Sequence, residues 1–114
     1  EVDGIAFATA TALIPLKARA WIDLTARKKT GQNINSFDIA KHRTDVFRLA
    51  ATLPGGPGPL LPDVIHDDLK AFLAVFPDDS TEWPSILDAL KPTLGGRLKP
   101  AALRSQLAEF FRIG

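Results

Sequence analysis

The chain contains no cysteine. Disulfides and zinc–thiolate sites are therefore excluded, and the composition suits a reducing compartment, which gives a cytoplasmic expectation. It contains no methionine either, and it opens on Glu1. The chain is accordingly expected to be an excised C-terminal fragment of a longer protein. No apolar run approaches the roughly 20 residues of a membrane span, which argues against a membrane protein. Glu1 to Leu16 has no basic leader ahead of its apolar part, so no signal peptide is expected. Charge of one sign is lacking too. Fourteen Lys and Arg stand against 13 Asp and Glu, for a net charge of +1. Such a balance gives no case for a nucleic-acid or membrane-surface protein. Histidine occurs only at His42 and His66, on different expected helices, so no metal site is expected.

What the chain has is helix-forming material. At 114 residues it can form one domain with a real core, and 46% of its residues are hydrophobic. Leu and Ala dominate that set, which favours helix over strand. The expected fold is mainly α: about five helices in a small helical domain, with a short N-terminal β-strand. Residues 1–53 are expected to hold the strand and two helices, 54–59 a Pro/Gly connector, and 60–114 three further helices.

The strand is expected over Val2–Thr9, where residues partly alternate and are β-branched or aromatic. The first helix is expected to start near Leu13 or Ile14, because proline is tolerated only in the first helical turn and Pro15 must sit there. Leu13, Ala20, Trp21 and Leu24 then share one face. Arg27, Lys28 and Lys29 close the helix at the negative pole of its dipole, and Gly31 stops it. Ser36 is the expected N-cap of a second helix running to about Leu53, with Ile39, Val46, Leu49, Ala50 and Leu53 as its stripe. Pro54-Gly55-Gly56-Pro57-Gly58-Pro59 reads as a connector. It lacks the Lys–Ser/Thr of a phosphate loop, and its prolines remove amides such a loop needs. A third helix is expected over Pro62–Phe76 with Val64, Ile65, Leu69, Phe72 and Leu73 inward. A short fourth, capped by Asp78-Asp79-Ser80-Thr81, is expected to end at Pro92 and Gly95-Gly96. A fifth runs from Pro100 to about Phe111, with Leu103, Leu107, Phe110 and Phe111 as its apolar set.

Lys17 falls about 40° from Leu13 on the wheel, within the apolar stripe. A lysine there must snorkel to water, pair with an acid, or point into a functional cleft. A second cluster holds Asp38, Lys41, His42, Arg43 and Asp45. Asp38 with His42, and Lys41 with Asp45, are spaced to meet on a helix surface as ordinary ion pairs. Asp67-Asp68 and Asp78-Asp79 are adjacent pairs that diverge on a helix. They are expected as a solvated face and as capping respectively. Trp21, Trp83, Phe110 and Phe111 sit amid Leu, Ile and Ala and are expected in the core.

Leu13-Ile14-Pro15-Leu16-Lys17-Ala18-Arg19-Ala20-Trp21-Ile22-Asp23-Leu24, Arg27-Lys28, and Asp38 through Leu49 together resemble the third and fourth motifs of AbiEii-type nucleotidyltransferases. These are bacterial proteins known as toxins of toxin–antitoxin and phage-defence systems. Lys17 and Ala20 match the family's Lys-x-x-Ala; Lys41, Asp45 and Val46 match its basic residue, second aspartate and following apolar residue. His42 stands where the stricter pattern has its first aspartate, which suggests a sub-branch. The resemblance covers roughly residues 1–53. It implies a parent that transfers a nucleotide from an NTP with Mg²⁺, on carboxylates in a missing N-terminal part. Lys17, Lys41 and His42 would then be nucleotide-binding and Asp45 an orienting catalytic residue, with neither cofactor held by this fragment alone. The implied partners are the missing nucleotidyltransferase domain and a cognate antitoxin. Two other readings stand beside it: a helical protein-interaction module without catalysis, and a DNA-binding helical domain using a basic corner of Arg27-Lys28-Lys29 and Lys41-His42-Arg43.

Overall fold

The computed structural model describes the backbone of residues 2–53, 55–96 and 98–113, and the side chains from residue 10 onward within those ranges. Five helices follow one another: α1 Val2–Lys29, α2 Ser36–Ala50, α3 Asp63–Val75, α4 Trp83–Leu94 and α5 Pro100–Phe110. Among the described residues there is no strand. The backbone over Val2–Thr9, expected as a strand, belongs to α1. A lone strand would need a partner for its amides and carbonyls, whereas a helix satisfies them within itself. No helix of the described residues is long and apolar enough to cross a membrane.

The helix also runs straight through Pro15, against the expectation that it begins there. Proline costs α1 the bond its amide would have made to the Thr11 carbonyl. Packing on both sides of Pro15 outweighs that loss: Ala10, Ile14 and Ala18 are each at most 1% exposed. The small Ala10 and Ala18 let a neighbouring helix come close around the branched Ile14.

At its other end α1 stops where expected. Gly31 takes φ +93°, the left-handed conformation a glycine adopts without a Cβ penalty. Its amide bonds to the Lys28 carbonyl and the Gln32 amide to the Arg27 carbonyl, both at 3.1 Å. This is a Schellman closure, and it satisfies the last carbonyls. Asn35, rather than Ser36, then caps α2, its side chain accepting from the Phe37 amide at 2.8 Å. Ser36 is drawn away to accept from Lys28. With Lys28 meeting Ser36 at the turn and Lys17 meeting Asp45 further in, α1 and α2 form an antiparallel hairpin.

The other helices close around this hairpin. α3 packs on α1, and α4 and α5 pack on α2. An aromatic chain joins four helices: Trp21 meets Phe72 and Phe76 edge-on at 5.3 and 5.2 Å, and Phe47 lies 5.5 Å from Phe72 and 4.8 Å from Trp83. Each such ring contributes roughly 1.5–3 kcal/mol by leaving water. Phe47, which the expected α2 stripe omitted, is fully buried, whereas Val64 of the expected α3 stripe is 64% exposed. The α4 helix continues through Pro92 to Leu94, and Gly95 caps it.

The Pro/Gly connector is strapped to α5. The Gly56 amide donates to Glu109 at 2.6 Å, and the Gly58 amide to the Phe110 carbonyl at 2.8 Å. Arg112 reaches back to the Gly58 carbonyl at 3.0 and 2.8 Å. Both amides are thus engaged by α5.

Candidate functional site

Lys17 and Asp45 meet across the hairpin at 3.1 Å. They lie on facing sides of α1 and α2, so the antiparallel register brings together residues far apart in sequence. Asp45 is shared, because Arg48 one turn later on α2 also reaches it, at 2.6 Å. Arg48 in turn donates to Thr93 of α4 at 3.3 Å. Two cations thus converge on one carboxylate, leaving a local excess of one positive charge. The Asp45 side chain is 14% exposed and the Lys17 side chain 29%. Of the three fates open to Lys17 on an apolar stripe, it takes the acid partner.

The other predicted residues do not join this contact. Lys41 is exposed, and His42 is half-buried with its Nδ1 out of water and without a partner among the described residues. The Lys41–Asp45 pairing expected along α2 gives way to pairings of Asp45 with Lys17 and Arg48. Asp68, expected on a solvated face, pairs with Arg19 of α1 at 3.1 Å. Asp78, expected as a cap, pairs with Arg104 at 3.2 Å, while the Ser80 hydroxyl accepts from the Glu82 amide at 3.2 Å. Among the described residues no three histidines or carboxylates converge closely enough to hold a metal ion.

In the DNA-binding reading Arg43 belongs to an exposed basic corner. The structure instead buries it to 8% exposure, with its guanidinium 3.0 Å from Glu82. Its position on α2, four residues before Phe47 and three before Val46, places it on the buried face. That periodicity was the available signal. Arg43 lines a cleft of about 550 Å³ between the turn-side halves of α1 and α2.

No family model, curated protein or solved structure matches the chain. Its functional reading therefore rests on the residues and their geometry.

A second, apolar groove of about 630 Å³ lies on the α1–α3 side, lined by Pro15, Leu16, Leu61 and Ile65 among others. Leu16 is 64% exposed there, and Leu60 and Val64 nearby in sequence are 77% and 64% exposed.

Proposed function

We propose that this chain is the helical portion of an AbiEii-type nucleotidyltransferase-like protein, and that Lys17 serves it as a phosphate-reading cation oriented by Asp45. The observation that supports this reading is the 3.1 Å contact between Lys17 and Asp45, one residue from each of the two motifs that carry the family resemblance. An ammonium held by a carboxylate keeps further N–H donors for a phosphate oxygen. The second cation, Arg48, leaves the locus net positive, as triphosphate binding requires. In this reading the carboxylates that hold Mg²⁺ for in-line attack come from another part of the protein.

Titrating Mg·ATP and Mg·GTP onto the ¹⁵N-labelled chain tests the proposal. Feeble but saturable binding should shift the amides around Lys17 and Asp45, and Lys17→Ala should remove those shifts while the helical signal persists. An absence of shifts at Lys17, or shifts that survive Lys17→Ala, would overturn it. Turnover by the 114 residues alone would show that the catalytic carboxylates have been misplaced.

The apolar groove at Pro15, Leu16, Leu61 and Ile65 supports the second reading, a helical interaction module. Exposed apolar surface of this kind marks partner sites. The nucleotidyltransferase half and a cognate antitoxin are the proposed partners. Leu16→Asp should leave the fold intact and abolish association with the partner; unchanged association would sink this reading.

A further inference from the structure

The turn-side cleft is built from two matching helix faces. Trp21, Thr25 and Lys28 follow one another at spacings of four and three along α1, and Ser36, Ile39 and Arg43 do so at three and four along α2. Apolar atoms of Trp21 and Ile39 form its body. Three cations, Lys28, Lys29 and Arg43, stand against one carboxylate, Glu82, so the cleft carries a formal excess of two positive charges. Its volume of about 550 Å³ falls within the roughly 300–1,000 Å³ of small-molecule sites.

Two polar groups in this cleft are unaccounted for by the fold. The Arg43 Nε is out of water and has no partner among the described residues, although its terminal nitrogen is held by Glu82. The Thr25 hydroxyl is likewise buried without a partner. A helical threonine can return its hydroxyl to the carbonyl one turn back; here it does not. Leaving a buried donor unmade is costly, and each such case calls for an explanation. Both residues line the same cationic cleft beside Trp21. An anion with several acceptor oxygens would satisfy both at once, and a ring beside it would cover Trp21.

We propose that the cleft between α1, α2 and the start of α4 binds a small ring-bearing phosphate ester. Its ring rests against Trp21 and Ile39, and its phosphate oxygens accept from the Arg43 Nε and the Thr25 hydroxyl. Lys28 supplies further positive charge from the turn end, where it donates to Ser36 in the free protein. Glu82 holds the other side of the Arg43 guanidinium and so fixes the direction of Nε. Phosphate is favoured over carboxylate because a phosphate monoester carries about 1.5–2 negative charges, which matches the cleft's formal excess of two positive charges from Lys28, Lys29 and Arg43 against Glu82. Lys17 and Asp45 do not line this cleft, so the inference is independent of the role proposed for Lys17.

The test is an NMR titration of the intact chain with phenyl phosphate and, separately, inorganic phosphate. Phenyl phosphate should shift the Arg43 Nε–H and Trp21 indole N–H resonances saturably, with a Kd at or below about 1 mM, an affinity within reach of a few good contacts. Inorganic phosphate should bind at least about tenfold more weakly, because it lacks the ring. Thr25→Val, which keeps the side-chain shape and removes the hydroxyl, should weaken phenyl phosphate about tenfold, as loss of one charge-assisted bond predicts. The proposal is overturned by an absence of saturable shifts at Arg43 and Trp21, by equal binding of the two phosphates, or by undiminished binding to Thr25→Val. It is also overturned if Lys17→Ala abolishes binding, which would place the ligand at the other locus.

Discussion

Arg43 of α2 grips Glu82, the residue before α4, at 3.0 Å, from a side chain that is 10% exposed while that of Glu82 is 51% exposed. The two partners are therefore unequal. Removing the carboxylate strands a charge that is almost out of water, whereas removing the arginine returns a half-solvated glutamate to solvent. Glu82→Gln should destabilise the fold by roughly 1–2 kcal/mol, less than a fully buried pair because solvent reaches one partner. Arg43→Met keeps the aliphatic stem and removes both the charge and the unpaired Nε, so it should fall within about 1 kcal/mol of the parent. Urea unfolding midpoints give the order directly. A reversed order would show that the arginine stabilises the fold beyond holding its own charge.

Such inequality is invisible in a sequence. The five helices, the Gly31 stop and the Pro/Gly connector follow from local chemistry: periodic Leu and Ala, breakers and caps. Leu69, Phe72 and Leu73 were legible because they fall on one apolar stripe of α3, and all three are buried. α1 was harder, since it meets both α2 and α3 and buries Ala10, Ile14 and Ala18 outside the stripe drawn through Leu13 and Leu24. Pro15 misled for a related reason. Local propensity sets a helix start there, and only tertiary packing carries the helix through. Within the site, Lys17 was singled out as a lysine on an apolar face, but pairing it with Asp45 depends on the hairpin register. Arg43 was misjudged because its charge outweighed its position.

The connector offers a controlled pair of glycines. A Cβ on Gly58 would lie 2.6 Å from two atoms of the Phe110 ring, and that ring is only 1% exposed. The ring has little room to withdraw, so Gly58→Ala should cost about 1–3 kcal/mol through overpacking. A Cβ on Gly55 meets nothing within 4 Å. Gly55→Ala should be neutral or stabilise by up to about 1 kcal/mol, since alanine restricts the unfolded chain. Equal thermal midpoints for the two variants would mean that the strap to α5 does not hold the connector in solution.

Pro15 gives a substitution expected to raise stability. It lies inside α1, where its ring removes one backbone bond, and it is only half-buried. Pro15→Ala restores the amide and should stabilise the protein by roughly 1–3 kcal/mol. The restored amide should also exchange slowly with deuterium. A fall in the thermal midpoint would show that the ring's packing in the α1–α3 groove outweighs the missing bond.

Asp45 separates a structural clamp from a phosphate-reading lysine. It accepts from Lys17 at 3.1 Å and from Arg48 at 2.6 Å, with its own side chain 14% exposed. Asp45→Ala leaves two cations facing each other across the hairpin and should cost about 1–3 kcal/mol. Lys17→Met leaves the Asp45–Arg48 pair in place and should cost no more than about 1 kcal/mol, as expected for a partly exposed ion pair. In the Asp45→Ala background, Lys17→Met should become neutral or stabilising, because it then relieves repulsion. That change of sign, read from a double-mutant cycle in urea, measures the coupling between the two residues. If Lys17→Met costs the same with and without Asp45, the 3.1 Å contact carries no energy, and an orienting role for Asp45 loses its physical basis.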